Sequence, residues 1–204
     1  AGADEALAKR CVRLAQGHIG IARLYATDDQ ALADRDEIVV GVLGMRRASD
    51  AVLLASSMVD SAQGQAKTGV DRAVAQEEAN FREINGLAPG DKIPAALRSA
   101  FNAIGKKEDL RRRTVRLSRD VLDRFLNTIA SVYRDISVLQ NNAEDTAGIV
   151  NLENRTAIAD MSARISRART VANLHAIDAA RRRLLHNGSQ QLVLEALLAS
   201  LVVY

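Results

Sequence analysis

Apolar residues recur at helical spacing from the first turns of the chain. Between residues 4 and 16 the apolar side chains follow at steps of four and three, which places them on one face of a helix. This first stripe consists of Leu7, Cys11 and Leu14. Gly17 follows where a left-handed residue commonly ends a helix. The pattern predicts a helix over 4–16 and a second, short helix over 18–26.

Polar residues with capping chemistry precede the next two predicted helices. Thr27 and Gln30 have the spacing of a capping box, in which each side chain bonds the backbone of the other residue. They predict the start of a helix over 28–46. Ser49 is placed to cap a longer helix that reaches residues 85–86.

The middle of that longer helix is its weakest part. Residues 61–69 contain two glycines and few apolar side chains, so a kink or frayed turn is expected there. Residues 87–94 form a turn rich in proline and glycine. Pro94 suits the first turn of a short helix that runs through Ile104, because its missing N–H costs nothing there.

The longest predicted helix covers residues 106–140. Its apolar side chains recur at alternating steps of three and four, which gives a narrow seam suited to packing against other long helices. The seam consists of Leu122, Phe125, Ile129, Val132, Ile136 and Leu139. A polar loop over 141–149 and a helix over 154–163 follow.

A further helix is predicted over 167–186, with one apolar side. That side consists of Val171, Leu174, Ile177 and Leu184. Asn187 and Gly188 end this helix, and Ser189 can cap the last helix. The last helix is apolar nearly all round, so its expected place is the centre of a bundle.

Composition agrees with a protein built only of helices. The chain has 204 residues, of which 48% are hydrophobic and 3% aromatic, with 2 prolines. That is enough apolar material for a core, and no alternation of strands and helices is visible. We therefore predict an all-α helical bundle with one or two long helices. No apolar run approaches the roughly 18 residues of a membrane span, and no leader precedes Ala1, so a cytoplasmic fragment of a longer chain is expected.

Residues able to perform chemistry are scattered. His18, His175 and His186 have no metal-ligand spacing, and Cys11, the single cysteine, can form neither an internal disulfide nor a metal knuckle. The phosphate-binding motif GxxxxGK[ST] and the serine motif GxSxG are both missing. We expect no catalytic residue, no cofactor and no metal, and hence a protein that is not an enzyme.

Basic side chains are concentrated in two runs. Residues 98–136 contain ten Lys or Arg against five Asp or Glu, whereas the whole chain has a net charge of +3. The runs consist of Arg111, Arg112 and Arg113, and of Arg181, Arg182 and Arg183. One interpretation is a solvated helix face, because consecutive arginines point to different sides of a helix. The other is a surface for phosphates or for an acidic partner.

The segment AQGHIGIARLYATD at residues 15–28 resembles a known family. It is similar to the end of the lid subdomain in the delta-prime family of bacterial DNA polymerase III clamp-loader subunits. There a segment of the form G-H-x-G-x-A-R joins an AAA+ module to a helical collar domain. The resemblance assigns lid and packing positions to Gly17, His18, Gly20 and Arg23.

Later segments extend the resemblance over nearly the whole chain. YRDI at 133–136, followed by a polar loop and residues 151–153, looks like the YRD…N region of that collar. RRLLHNGSQQLVLEALLASL resembles the closing helices. The collar core or interface positions so implied are Tyr133, Arg134, Asp135, Asn187, Leu194, Leu197 and Leu198. Residues 66–116 resemble a longer form found in high-GC bacteria, and no residue roles are carried into them.

The two glycines of the GHIG segment have a functional and a structural interpretation. In related clamp-loader ATPases an arginine at the start of this helix reaches the nucleotide, and its position falls here on Gly20. The resemblance therefore implies a subunit that does not turn over ATP. From the residues themselves, Gly17 ends one helix, Gly20 lets the next pack closely on its neighbour, and His18 caps or contacts that helix.

The resemblance implies two lid helices over 1–26 and a helical collar over 27–204. In the family, five collars close into a ring that holds the AAA+ modules while ATP binding opens a sliding clamp onto primed DNA. The expected partners are the ATPase (gamma/tau) and delta subunits, with DNA in the assembled complex and no membrane. Two alternatives are a separate helical nucleic-acid-binding module that uses the basic runs, and a helical domain of an unrelated AAA+ protein.

Overall fold

Every regular element of the structure is helical. This computed structural model describes residues 4–186 and 188–203, and those residues contain no strand. The all-α prediction is therefore confirmed. The α-helices are α1 Glu5–Ala15, α2 Ile19–Thr27, α3 Asp29–Gly44, α4 Ala48–Ile84, α5 Arg98–Ile104, α6 Lys107–Gln140, α7 Glu144–Ala147, α8 Arg155–Arg164, α9 Arg167–Leu185 and α10 Gln190–Leu201. Short 3₁₀ turns at Ala95–Leu97 and Leu152–Asn154 precede α5 and α8.

The junction between α1 and α2 is made of two left-handed residues. Asp4 caps α1, since its carboxylate accepts a hydrogen bond from the backbone N–H of Ala6 at 3.3 Å. The helix ends at Ala15, and the chain reverses through Gln16 (φ 48°) and Gly17 (φ 90°). The predicted left-handed conformation of Gly17 is confirmed, although Gln16 shares it.

Two of the predicted helix caps do not form. The cap of α3 is Asp28, whose carboxylate accepts from the N–H of Ala31 at 3.1 Å. Thr27 instead donates its hydroxyl to the carbonyl of Arg23, and so closes α2. Ser49 already lies inside α4, and the Asp50 carboxylate bonds the two N–H groups that precede that helix. At α3 a carboxylate, which is the stronger acceptor, takes the role predicted for a hydroxyl. At α4 Asp50 lies in the first turn and bonds back to residues before the helix, as the third helical residue of a capping box does.

Helix α4 runs for 37 residues without a break, so the kink expected over 61–69 does not occur. Ala62, Ala66 and Val70 are each at most 4% exposed and follow at steps of four. Since the buried stripe continues through the segment, packing maintains the helix across its two glycines. Gly69 lies close to a neighbour, and a Cβ there would stand 3.4 Å from the Leu117 side chain.

By compactness the chain divides into two units. The first contains the residues up to 59 together with those from 123 onward, and the second is Asp60–Leu122. The divisions fall within α4 and α6 and not at residue 26. The lid and collar assignment stays a prediction.

In the second unit the C-terminal part of α4 and the N-terminal part of α6 are joined through α5. The rings of Phe81 and Phe101 meet edge to face with centroids 5.5 Å apart, and the Arg82 guanidinium lies 5.4 Å from the Phe101 ring. Arg113 bonds Glu77 at 2.6 Å. These contacts attach α5 and α6 to the same helix.

The predicted seam of α6 is confirmed in five of its six positions. Leu139 is only half-buried. The remaining positions are at most 2% exposed, and they are Leu122, Phe125, Ile129, Val132 and Ile136. The predicted loop over 141–149 contains the four-residue helix α7.

The apolar side predicted for α9 is partly wrong. Val171 is 51% exposed, while Thr170 and Asn173 are buried. The Thr170 hydroxyl donates to the side-chain oxygen of Gln140 at 2.9 Å, which satisfies it in the interior. A polar contact therefore shifts the buried face of α9 away from the position that hydrophobicity predicts.

Helix α10 buries one face only. That face consists of Val193, Leu194, Leu197, Leu198 and Leu201. Leu192 is 65% exposed and shares the outer side with Ala196 and Ala199. The prediction that this helix is surrounded on all sides is wrong. Among the described residues, no helix is both long and apolar enough to cross a bilayer.

Candidate functional site

A buried hydrogen-bond network lies in the first unit and is centred on Asp135 of α6, whose exposed fraction is 0%. Its carboxylate accepts from the backbone N–H of Val150 at 3.1 Å and of Asn151 at 2.8 Å. It also accepts from the Asn151 side-chain amide at 2.7 Å and from Arg134 at 2.8 Å. Four donors thus stabilise one buried negative charge.

Asn151 extends this network to a second residue of α6 and to one other helix, α3. Its amide nitrogen also donates to the Ser131 hydroxyl at 3.1 Å, and its oxygen accepts from Arg35 of α3. Arg35 is 3% exposed. Burial lowers the pKa of its guanidinium, although the nearby Tyr25 and Asp36 act in the opposite direction. The network therefore joins α3, α6 and the segment before α8.

Arg134 fixes the loop that leads to Asn151. Besides Asp135, it donates to the carbonyls of Gly148 at 2.7 Å and of Ala147 at 2.5 Å. Those carbonyls lie at the C-terminal end of α7, where helix carbonyls lack partners within the helix. The arginine of the YRD stretch thus orders the turn, while its aspartate binds the two residues that come after the turn.

Two arginines of α1 contact the same segment. Arg13 donates to the Val150 carbonyl at 3.1 Å and pairs with Glu153. Arg10 pairs with Glu153 at 3.1 Å and with Asp36 at 2.6 Å. Burial acts to raise the pKa of Glu153, but its backbone hydrogen bond and the two arginines outweigh it, so the pKa is lowered. Helix α1 is thereby tied to both α3 and the segment before α8.

Tyr133 and Asn173 are a second pair of buried polar residues. The Tyr133 hydroxyl and the Asn173 side-chain nitrogen have no hydrogen-bond partner among the described residues. Burial raises the pKa of Tyr133 to about 12, although the charge of Arg169 and the adjacent Asn173 act to lower it. Tyr133 is 0% exposed, so it is part of the core and not of a surface.

The GHIG segment lies at the surface of the first unit. His18 occupies the N-cap position of α2 but makes no side-chain capping bond. A Cβ placed on Gly20 would meet no atom within 4 Å. The expectation that Gly20 permits close helix packing is therefore wrong for contacts among the described residues. Ile19 is 86% exposed and Arg23 is exposed as well.

The two basic runs differ in their surroundings. In the second run, Arg181 bonds Asp123 at 2.6 Å and Arg182 pairs with Asp178. In the first run, Arg113 bonds Glu77 and Asp109, each at 2.6 Å. Arg112 pairs with Glu108 at 3.5 Å, and it lines a shallow cavity of about 370 Å³ together with Arg111, Arg116 and Arg119. Consecutive arginines thus point in different directions, as helix geometry requires.

The structure places the remaining predicted residues in the core or outside the described chain. Leu194, Leu197 and Leu198 are at most 4% exposed, so they are core residues and not interface residues in this structure. Asn187 lies outside the described residues. Within the described residues, no group of three His, Cys, Asp or Glu side chains could hold a metal ion.

Sequence reasoning missed Arg35 and Ser131, although a signal for Arg35 exists. Arg35 follows the buried Leu32 by three residues and precedes the buried Ile38 by three. It therefore lies on the apolar face of α3, where an arginine requires buried partners. Ser131 has no comparable signal, because a small hydroxyl is common on any helix face.

Comparisons with known proteins identify no relative. No protein-family model matches the chain, and neither the curated proteins nor the solved structures include a significant match.

Proposed function

We propose that this chain is a non-catalytic part of a bacterial replicative clamp loader, similar to the delta-prime subunit. Its task would be assembly, in which the helical chain binds sister subunits so that ATP binding elsewhere in the complex opens the sliding clamp. The proposal rests on the sequence resemblance and on one structural observation.

That observation is the contact between Asp135 and Asn151. The YRD stretch and the asparagine after the polar loop are two separate segments that carry the resemblance. Asp135 and Asn151 meet in one buried network, with bonds of 2.7 and 2.8 Å between them. If the two segments belong to one architectural motif, they are expected to meet, and the observed contact supports the proposal in this way.

Exposed apolar side chains of the first unit supply surfaces for a partner. Each is more than 60% exposed, and they are Val12, Ile19, Leu53, Leu185 and Leu192. An assembly protein buries such side chains against its neighbours. Ile19 lies within the GHIG segment itself.

The experiment is reconstitution of the chain with the ATPase (gamma/tau) and delta subunits of the same organism. We expect co-elution in size-exclusion chromatography with at least one of them. Single changes Ile19→Glu, Leu53→Glu, Leu185→Glu and Leu192→Glu test the exposed side chains. At least one should abolish co-elution while the thermal unfolding midpoint is unchanged.

Ile84→Glu is the matched control. Ile84 is 83% exposed and lies in the second unit. Ile84→Glu therefore introduces the same charge at an exposed apolar position but leaves the tested side chains of the first unit unchanged. Failure of the unmodified chain to bind either subunit would refute the proposal.

One observation favours the alternative of a nucleic-acid-binding module. Four arginines and Glu108 surround the shallow cavity on α6, with Val115 among them. A cluster of this kind can follow a phosphate backbone, and its binding should then weaken steeply as salt rises. Fluorescence anisotropy with a labelled DNA duplex at several salt concentrations measures the affinity and its salt dependence.

The double change of Arg111 and Arg116 to Gln should reduce both the affinity and its salt slope if the alternative holds. Changing Arg181 and Arg182 to Gln provides a comparison by the same chemical change, because those side chains are already paired with carboxylates. Equal binding by both variants argues against the alternative.

A further inference from the structure

A cavity of about 470 Å³ opens in the first unit beside the buried network. Its walls come from α1, α2, α3, α6 and α9, and every lining residue belongs to the first unit. A volume of this size falls within the range of small-molecule sites in proteins, roughly 300–1,000 Å³. Nothing in the proposed assembly function uses it.

The lining of the cavity includes cationic side chains. Arg35, Arg124 and Arg134 line it together with the side chains of Asn127 and Thr128. Arg35 is paired with Asp36 at 3.3 Å and Arg134 with Asp135 at 2.8 Å, so their charge is partly neutralised. None of the described lining side chains carries a carboxylate, so the wall itself contributes no negative charge that would repel an anion.

Arg35 is the most deeply buried of these three cations. It is 3% exposed, and it donates to Asp36 at 3.3 Å and to Asn151. A guanidinium has five N–H donors, so donors remain beyond these two described bonds. Burial lowers the pKa of Arg35, which means that an added anion would stabilise its charged form.

Apolar side chains line the same cavity. They are Leu14, Ile21 and Leu174, with the ring of Tyr25, while Gln16 and His18 of the α1–α2 junction add polar groups. Tyr25 is 3% exposed. A bound molecule would therefore meet both charged groups and hydrocarbon.

We propose that this cavity binds a small organic oxyanion, with a carboxylate or phosphate group against Arg35, Arg124 and Arg134 and an apolar body against Leu14, Ile21 and Leu174. This site is independent of the clamp-loader function. A nucleoside triphosphate fits the description poorly, because it carries several phosphates on a polar sugar.

Isothermal titration of the full chain with phenyl phosphate and with benzoate tests the proposal. We expect saturable binding of at least one probe at one site per chain. Arg124→Gln should weaken that binding about tenfold or more, as expected for the loss of a charge-assisted hydrogen bond. Arg124 is half-buried, so this variant is more suitable than a change at the fully buried Arg35.

Two comparisons separate a built site from general attraction to a basic protein. Arg72→Gln removes an exposed arginine in the second unit and should leave the affinity unchanged. Leu174→Ala should weaken phenyl phosphate binding but not the binding of inorganic phosphate. Thermal unfolding midpoints, followed by circular dichroism, establish that each variant is folded.

Absence of saturable binding by both probes would overturn the proposal. Equal affinities of the unmodified chain and Arg124→Gln would also overturn it, as would equal losses in Arg124→Gln and Arg72→Gln. If inorganic phosphate binds as tightly as phenyl phosphate, the apolar side chains contribute nothing to binding and the assignment of an organic ligand is wrong.

Discussion

Asp135 accepts hydrogen bonds from both the backbone and the side chain of Asn151, at 2.8 and 2.7 Å. These residues lie sixteen positions apart and are both 0% exposed. The carboxylate therefore acts as a fixed anchor for the segment after α7. Because a buried charge is costly when any of its partners is lost, this contact is where the first unit should be most sensitive to substitution.

Asp135→Asn should destabilise the protein by about 3 kcal/mol, because it removes a charge and presents an amide donor to groups that are themselves donors. Urea unfolding measures the change in the free energy of unfolding. Asp120→Asn makes the same chemical change at an exposed site. This variant should change the free energy of unfolding by less than about 0.5 kcal/mol. Equal midpoints for the two variants would contradict the anchoring role.

Stability should depend on pH through Glu153. Its folded-state pKa is lowered, so its ion pairs stabilise the fold above its unfolded pKa of roughly 4.3 and lose this effect as pH falls through the folded value. Glu153→Gln should cost about 0.5–1 kcal/mol at pH 7, since the side chain is partly exposed. The difference from the unmodified chain should shrink toward zero near pH 3.

Urea unfolding at several pH values measures this difference. Glu37→Gln is the control, because Glu37 is exposed and has no described ion pair. A difference between Glu153→Gln and the unmodified chain that is constant from pH 7 to pH 3 would show that the ion pairs are not responsible.

Two glycine substitutions should act in opposite directions. A Cβ on Gly188 would stand 2.8 Å from the carbonyl oxygen of Arg183 and 3.0 Å from Val193. Gly188→Ala should therefore cost about 1–3 kcal/mol. Gly20 lies within α2 with open space around it, so Gly20→Ala should stabilise by about 0.5–1 kcal/mol.

Thermal unfolding compares the two substitutions directly. A destabilising Gly20→Ala would indicate that a further part of the molecule packs against this position, which the contacts within the chain do not show.

The attachment of α5 should depend on Phe101. Its ring contacts Phe81 and the Arg82 guanidinium, and no residue of α5 is fully buried. Phe101→Ala should raise the hydrogen-exchange rates of backbone amides in residues 95–104, with those of α9 unchanged. Phe101→Leu retains apolar area but not the aromatic contacts, so an intermediate effect is expected. Unchanged exchange in Phe101→Ala would show that other contacts hold α5.

The helical segments could be identified from the amino-acid order alone. The repeat of apolar residues at three and four positions is a local property, so most helices and the seam of α6 were predicted with nearly correct bounds. The turn at Gly17 was also readable, because left-handed backbone strongly favours glycine. The errors at Thr27 and Ser49 were small, because the neighbouring Asp28 carboxylate caps α3 and α4 begins one residue before Ser49.

The roles of the polar residues, in contrast, depend on how the helices pack. Asp135 meets Asn151, Arg35 enters the core, and Thr170 turns inward because each finds a partner on another segment. Helix α4 stays continuous across its glycines because side-chain packing outweighs a local propensity of about 1 kcal/mol per residue. Contacts between distant segments depend on where the helices lie in space, and no local pattern in the chain encodes that.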